Sequence, residues 1–299
     1  MATVIEPSSR PVNHRSHGRL SRIGREQIGV RILMLVLCGY YLLPFYWMFV
    51  NALKSNEELS QYPPTWLPHS LEFENFSRAM DVFPFWTFMT NSLIITISAV
   101  IGVALSVPLV AYGFSRIEWP GRDKVFYLVL ATVFIPYPAL IIALFDIFAK
   151  LDWVNTFYPL IIPFFFCFIP APFWIFIMRQ FLLQIPKDLS DAARIDGANE
   201  FRIMMQIIMP QAWPALAAVS LFAALDRWND FLGPLIYLKK REMYTLALGL
   251  NALQYFEGGL DWTHYVMVMA TIMIVPVIII YFLAQRALVE GIVLTGLKG

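Results

Sequence analysis

The chain has 299 residues, of which 59% are apolar or aromatic and only 14% are charged. Soluble domains carry roughly 45–50% apolar and about 25% charged residues. This composition, with a mean hydropathy of +0.62, excludes a disordered chain and a soluble enzyme, and it predicts an all-α membrane protein. The two cysteines, Cys38 and Cys167, both lie in apolar runs, which excludes a disulfide framework and a thiolate metal site.

Six apolar stretches are long enough to cross a hydrocarbon core, which takes ~20 helical residues. We place them at residues 31–50, 90–114, 125–145, 157–182, 210–236 and 266–285. The first stretch is interpreted as a retained anchor because it is too long for a signal peptide and no small-residue cleavage site follows it. The predicted organisation is therefore a basic, flexible cytoplasmic tail over residues 1–30 and one six-span domain over residues 31–299.

Positive charge is concentrated on one side of the predicted spans. Most of the 22 Lys and Arg residues fall in the tail or in connections on that side, namely Arg10, Arg15, Arg19, Arg22, Arg25, Arg31, Arg116, Arg122, Lys124, Arg179, Lys187, Arg194, Arg202, Arg286 and Lys298. By the positive-inside rule, both termini are expected in the cytoplasm. The first outer connection is instead acidic, with Glu57, Glu58, Glu72, Glu74 and Asp81.

The connection between the fourth and fifth spans, residues 186–210, is too polar to cross a membrane and too regular for an unstructured loop. Asp188 is expected to cap a first short helix, with Asp191 in its first turn. Gly197 is expected to end that helix. We define residues 186–210 as the coupling segment.

A second helix of the coupling segment is expected to begin near Asn199. Its helical spacing predicts one apolar stripe formed by Phe201, Met204, Met205 and Ile208. Pro210 suits the first turn of the following helix. Such a face fits a groove of a partner protein, and spacing alone leaves open an interfacial helix that rests on lipid headgroups.

These residues resemble a known family signature. Asp191-Ala192-Ala193, Gly197 and Ile207-x-Met209-Pro210 look like the Glu-Ala-Ala, Gly, Ile-x-Leu-Pro signature of permease subunits of ABC importers. Asp191 stands where Glu is usual, and Met209 replaces Leu in a volume-conserving exchange. Other motifs over residues 30–299 are similar to those of maltose-type carbohydrate permeases, namely Pro44-Phe45-Tyr46-Trp47, Tyr62-Pro63-Pro64-Thr65-Trp66 and Trp228-Asn229-Asp230-Phe231-Leu232.

The resemblance implies a type I ABC importer permease fold, with six transmembrane helices and a cytoplasmic coupling helix between the fourth and the fifth. It implies four partners in a bacterial or archaeal cell membrane: a second homologous permease, two copies of an ABC ATPase, an extracytoplasmic substrate-binding protein and a sugar or oligosaccharide substrate. The ATPase-coupling residues it assigns are Asp191, Ala192, Ala193, Asp196, Gly197, Phe201, Ile207 and Pro210. Glycerol phosphate or a related polar metabolite is the alternative cargo.

Three charges lie inside the predicted fifth span: Asp226, Arg227 and Asp230. A charge at mid-membrane costs ~2.5–3.5 kcal/mol on insertion scales, so these side chains should face the protein interior or water. A structural ion pair and a substrate pathway both fit, and the candidate pathway residues are Arg227, Trp228, Asn229 and Asp230. An intramembrane enzyme would need Asp226 and Asp230 as its acid pair, but Arg227 between them matches no protease-like motif.

Several chemical motifs are absent from the sequence. Because no G-x-x-x-x-G-K-S/T loop occurs, the chain is expected not to hydrolyse ATP, and ATP and Mg²⁺ are expected on the partner ATPase. The four histidines are scattered, so no catalytic residue, metal site or cofactor is expected in this chain. The Arg-rich tail is interpreted as a topology determinant that meets anionic lipid, not nucleic acid.

Overall fold

The computed structural model describes residues 17–168, 171–257 and 262–296. Within these ranges the ordered elements are all helical, without a strand. The α-helices, in chain order, are α1 His17–Ala52, α2 Asn56–Leu59, α3 Glu74–Val82, α4 Phe85–Ser115, α5 Arg122–Ala131, α6 Tyr137–Lys150, α7 Tyr158–Ile161, α8 Ala171–Gln184, α9 Asp188–Ile195, α10 Glu200–Ile203, α11 Met209–Gln211, α12 Trp213–Trp228, α13 Leu232–Tyr237, α14 Leu246–Ala252 and α15 Thr263–Gly296.

The helices confirm a multi-pass membrane protein. Among the described residues, four stretches are long and apolar enough to cross a membrane: Ile28–Ala52, Phe85–Ser115, Tyr158–Gln184 and Thr263–Phe282. Two bent helix pairs raise this number to six if each pair is one span. The six predicted spans therefore correspond to these six units.

The third and fifth predicted spans are each sharply bent. Arg122–Phe134 and Tyr137–Lys150 meet at 97°, at a break that contains Pro136. Proline lacks the N–H that would continue the helical ladder, and it pushes the preceding residue out of helical geometry. Glu200–Gln211 and Trp213–Trp228 meet at 81°, so the fifth span begins at Trp213 and the residues before it belong to the coupling segment.

Two further boundaries differ from the sequence-based expectation. The fourth span is interrupted, because α7 passes into a 3₁₀ turn over Ile162–Phe166 that ends at Cys167 with φ of 55°. Helix α1 begins at His17, inside the predicted tail, while residues 1–16 lie outside the described residues. Much of the predicted tail that can be described is thus an extension of the first helix.

The main core lies between α4, α8 and α12. Along α4, a buried face of small and β-branched side chains repeats every four residues: Ala99, Val103, Val107 and Ala111. This face packs against Trp174 and Met178 of α8 and Val219 of α12. Small residues let helix backbones approach closely, which is how membrane helices associate without a hydrophobic driving force between them.

The bundle has two ends that differ in structure. We call the end that carries α9, α10 and α11 the coupling end, and the end that carries residues 53–84 the loop end. Helix α4 reaches both: near its start, Asn91 donates to the carbonyls of Glu242 and Tyr244 at 2.8 and 3.0 Å, and near its end Tyr112 contacts Glu200 of the coupling segment. One helix therefore connects the two ends.

Candidate functional site

The coupling segment folds as two short helices joined by a glycine turn. Gly197 has φ of 82°, and its N–H donates to the Arg194 carbonyl at 3.0 Å. This is the left-handed residue that ends many helices, so the predicted stop at Gly197 is confirmed. Asp188 is the first residue of α9 and not its cap, because Lys187 holds the cap position with helical backbone angles, so that prediction is wrong.

Asn199 begins the second helix as expected. Its Oδ1 accepts a hydrogen bond from the Arg202 N–H at 2.9 Å, which satisfies one of the free donors of the first turn. The helix then passes into a π turn over Met204–Ile208. A π turn inserts one residue into the helical register, and this insertion changes which side chains share a face.

The residues of the predicted apolar stripe are divided between buried and exposed positions. Met204 and Ile208 are buried in the core, with 4% and 0% exposure, whereas Phe201 and Met205 face outward. The prediction of one stripe is confirmed in part: Phe201, Met204 and Met205 line one apolar groove beside Leu105 and Leu109 of α4, whereas Ile208 is buried in the core.

The remaining predicted coupling residues are also split between two faces. Ala193 is buried against the core, and Ile207 is half-buried. The exposed members are Asp191, Ala192, Asp196, Gly197, Phe201 and Pro210. Ile195, which sequence reasoning passed over, is 86% exposed and stands on the outward face. A single exposed isoleucine next to a helix stop gives no distinctive signal in the sequence.

A polar network fixes the coupling segment to α4. The Tyr112 hydroxyl donates to Oε2 of Glu200 at 2.7 Å, and Nε of Arg194 donates to Oε1 of the same carboxylate at 2.7 Å. Arg194 also donates to Oδ1 of Asp191 at 2.6 Å. These carboxylates, with the Glu200 hydrogen bond contributing most, hold the pKa of Arg194 above its usual value. Both helices of the segment are thus tied to the end of α4.

Arg116 provides a second anchor at this end. Its Nη2 donates to the carbonyls of Leu182, at the end of α8, and of Ile185, at 2.6 Å for the latter. The side chain is 6% exposed, and its burial lowers the pKa of the guanidinium. A cation among the free carbonyls at a helix C-terminus is favourable. Sequence reasoning counted Arg116 only as a topology charge, because its partners lie far along the chain.

The charges at the end of α12 form one compact cluster. Arg227 donates through Nη1 to Oδ2 of Asp230 at 2.7 Å, and through Nε and Nη2 to Oδ2 of Asp226 at 3.0 and 2.7 Å. The guanidinium carbon lies 4.6 Å from the centre of the Phe164 ring. Oδ1 of Asp230 accepts from the Gly233 N–H at 3.1 Å. We call Asp226, Arg227 and Asp230 the acid–arginine cluster; the expected pairing of Arg227 with Asp230 is confirmed.

The acid–arginine cluster lines a cavity of about 240 Å³. Its other walls come from α6 and from residues 159–168, with Tyr137, Phe148 and Phe168 among them. Two of the four candidate pathway residues, Arg227 and Asp230, line this cavity, and so does Asp226.

The other two candidate pathway residues lie elsewhere. Trp228 is 4% exposed and packs with Phe83 and Leu246 in a separate core cluster. Asn229 donates its amide to the Leu225 carbonyl at 2.8 Å. The structure thus contradicts Trp228 and Asn229 as lining residues of this cavity. Neighbours on a helix point about 100° apart, so four consecutive residues cannot all face one cavity.

The similarity of the chain to known proteins extends over most of its length. Residues 104–293 match the family described as binding-protein-dependent transport system inner membrane component. The arabinooligosaccharides transport system permease protein AraQ of Halalkalibacterium halodurans is 36% identical over 234 residues, which cover 78% of this chain and 81% of that protein. The trehalose/maltose transport system permease protein MalG of Thermococcus litoralis is 31% identical over 270 residues, covering 90% and 94%.

A solved structure shows the same fold. It is a bacterial ABC transporter involved in the import of the acidic polysaccharide alginate, and one of its chains matches with a TM-score of 0.70 at 24% identity. The match covers 93% of this chain and 99% of that chain, which confirms the predicted importer permease fold. By sequence and by fold, this chain belongs to the family of inner-membrane components of binding-protein-dependent transport systems.

Proposed function

We propose that this chain is one of two permease subunits of an ATP-driven ABC importer that moves a sugar or oligosaccharide into the cytoplasm. The cargo class rests on the similar proteins, which are named as permeases for arabinooligosaccharides, diacetylchitobiose and trehalose/maltose. The family description supports an external binding protein that delivers the cargo. The chain itself is a transport subunit, and ATP and Mg²⁺ act on the partner ATPase.

The observation that carries this proposal is the form of the coupling segment. Its inner face is anchored by Arg116 and by the Tyr112–Glu200–Arg194 contacts, whereas its outer face leaves Ile195 86% and Phe201 64% exposed. Apolar side chains on a short, fixed helix are the anchors that a helix-in-groove interface uses. Two copies of an ABC ATPase, one for each permease, would supply those grooves.

Force would pass from the ATPase to the spans through the same contacts. Nucleotide binding favours a closed ATPase pair, and its differential affinity for the closed state is the energy that shifts the permease. As the two coupling segments approach, the Glu200–Tyr112 hydrogen bond carries the displacement into α4. With the coupling segment and both termini on the cytoplasmic side, the orientation agrees with the distribution of Lys and Arg.

The two other candidate functions gain no support from the geometry. A phosphate cargo would need a free cation, but all three guanidinium nitrogens of Arg227 already donate to Asp226 or Asp230. An intramembrane acid pair would need its carboxylates to face each other, and in this chain Arg227 joins them instead.

The docking role can be tested with the variant Ile195→Asp. We expect the purified importer, co-expressed with its partner permease, to lose at least about 90% of its ATPase, since a charge in an apolar docking groove is left desolvated and unpaired. The matched control is Leu67→Asp, which changes an equally apolar side chain, 68% exposed, at the loop end. ATPase retention equal in both variants would contradict the proposal.

A further inference from the structure

We propose that the cavity beside the acid–arginine cluster binds one uncharged sugar ring of the transported molecule and rejects an acidic ring. This inference rests on the proposed function of sugar import and adds the site and its selectivity. It depends on the cavity's size, its walls and its charge.

The size of the cavity suits a single ring. Pockets for drug-sized ligands measure ~300–1,000 Å³, and this cavity, at about 240 Å³, lies just below that range. It can therefore enclose one ring of an oligosaccharide at a time, with the remainder of the chain outside. Passage of a longer sugar would then proceed ring by ring past this point.

The walls combine aromatic faces with a small polar patch. Tyr137, Phe148, Phe164 and Phe168 present rings to the cavity, and the C–H face of a sugar packs on such surfaces. The polar groups on the lining belong to the acid–arginine cluster and to Tyr137, whose hydroxyl adds to them. An apolar pocket with a few convergent polar groups is the usual form of a small-molecule site.

The polar patch retains unused hydrogen-bonding capacity. Both contacts between Arg227 and Asp226 go to Oδ2, so Oδ1 of Asp226 accepts no hydrogen bond from any described residue. The Asp226 side chain is also 40% exposed, unlike Arg227 at 14% and Asp230 at 15%. Sugar hydroxyl groups are donors that Oδ1 of Asp226 can accept.

The charge of the cluster selects against acidic cargo. Two carboxylates and one guanidinium give the patch a net charge of −1, and each nitrogen of Arg227 already has a carboxylate partner. A uronate or phosphate group in the cavity would face Asp226 without a free cation, and like charges in a poorly hydrated site repel strongly. The solved transporter of similar fold imports the acidic polysaccharide alginate. The cavity described here has the opposite selectivity.

The test uses a cysteine at the cavity wall of the detergent-solubilised importer, assembled with its partner permease and ATPase. Leu144→Cys lines the cavity, and Ile142→Cys, on the same helix but 83% exposed, is the matched control. Cys38→Ser and Cys167→Ala remove the two native thiols. Methyl methanethiosulfonate labels the new thiol in the presence of glucose, arabinose or N-acetylglucosamine, or of the acids glucuronate and galacturonate.

We expect at least one neutral sugar to slow the labelling of Leu144→Cys by a factor of 1 + [sugar]/Kd, about tenfold at ten times Kd. The acids should not slow it, and labelling of Ile142→Cys should be unaffected by any sugar. In a second variant, Asp226→Asn, the preference for a neutral sugar over its acid should fall about tenfold, because one negative charge is gone. If Leu144→Cys prevents assembly, Phe168→Cys probes the same cavity.

Equal protection by neutral and acidic sugars, or protection by neither, would overturn the proposed site. Uptake of neutral oligosaccharides by the intact importer, supplied with its binding protein, is measured separately. Uptake without protection would reject the cavity and leave sugar import standing. The absence of any sugar uptake would reject the proposed function as well.

Discussion

Both ends of the bundle are organised by a buried cation that binds backbone carbonyls. At the coupling end, Arg116 binds the carbonyls that follow α8. At the loop end, Lys54 is 1% exposed and donates to the Thr65 carbonyl at 2.5 Å and to Oδ1 of Asn51 at 2.9 Å, with its ammonium 4.8 Å from the Trp47 ring centre. A buried charge is tolerated only when it is paired or hydrogen-bonded, so the carbonyl contacts of each cation fix a loop in one position.

The two ends differ in the contacts that hold their buried polar groups. At the loop end, Glu58 is 8% exposed and accepts from the Thr65 hydroxyl at 2.7 Å, while Asn75 donates to the carbonyls of Ala52 and Lys54. The loop end therefore holds Glu58 and Asn75 in place through contacts within this chain. Both ends also expose apolar side chains, Ile195 and Phe201 at the coupling end and Tyr62, Leu67 and Phe73 at the loop end. Exposure alone therefore does not distinguish the two ends, and the difference lies in the contacts that fix each of them.

The largest effect is expected from Arg116→Ala at the coupling end. The substitution removes charge-assisted hydrogen bonds to two buried carbonyls and should lower the free energy of unfolding by about 3 kcal/mol. Thermal unfolding of the detergent-solubilised protein measures this loss. Arg116→Lys keeps the charge but lacks the planar set of donors of the guanidinium group, so it should recover only part of the lost free energy of unfolding. A melting temperature for Arg116→Ala equal to that of the wild type would show that this anchor is not needed.

A smaller effect is expected from Gly197→Val, which tests the glycine turn of the coupling segment. Nothing lies within 4 Å of a Cβ built at Gly197, so the expected defect comes from the positive φ of 82° and not from packing within the chain. A β-branched residue in this conformation costs about 1–2 kcal/mol, so the turn should change shape. ATP-driven uptake should fall about tenfold with membrane insertion intact.

Gly197→Asn is the control for that turn, because asparagine tolerates the left-handed region. It should retain most of the uptake of the wild type. Undiminished uptake by Gly197→Val would count against a docking role for this turn.

The smallest effect is a pH dependence of the loop end that originates at Glu58. Burial of Glu58 opposes its ionised form, but hydrogen bonds from Thr65 and His69 and nearby positive charge outweigh it and lower the pKa below 4.5. A lowered carboxyl pKa stabilises the fold above the unfolded value and loses that contribution as the pH falls through the folded value. Proteolysis within residues 53–84 should therefore rise below about pH 4.5.

Glu58→Gln should remove this pH dependence, because the amide does not titrate. Hydrogen bonds from Arg194 and Tyr112 likewise lower the pKa of Glu200, so cleavage at the coupling end should also rise on acidification, with or without the Glu58 substitution. If cleavage within residues 53–84 still rises at low pH in Glu58→Gln, the loss does not originate at Glu58.

Hydropathy and helix-end chemistry made several features predictable from the sequence. Long apolar runs located the membrane-crossing units, and the requirement for a left-handed residue after Ile195 located the end of α9 at Gly197. These features depend on residues that are close together in the chain, and local preference is sufficient to specify them.

The features that were missed depend on distant contacts or on helical phase. The partners of Arg116 lie 66 and 69 residues further along the chain. A proline such as Pro136 can kink a helix or break it, and the packing of α6 decides between these outcomes. The π turn over Met204–Ile208 inserts one residue into the helix, and the spacing of apolar residues in the sequence does not predict where such an insertion occurs. The position of Trp228 likewise followed from rotation about the axis of α12.

The length of α4 makes its position in the membrane sensitive to the thickness of the lipid bilayer. Its 31 residues rise roughly 46 Å without a break at Pro108, whereas the hydrocarbon layer is only ~30 Å thick. A helix longer than the hydrocarbon layer must tilt or protrude, and both the thickness of the layer and the packing of neighbouring helices contribute to its tilt. Near one end of α4, Asn91 binds the carbonyl of Glu242, and near the other end, Tyr112 binds Glu200. A change in membrane thickness that tilts α4 therefore shifts the loop near Glu242 and the coupling segment together.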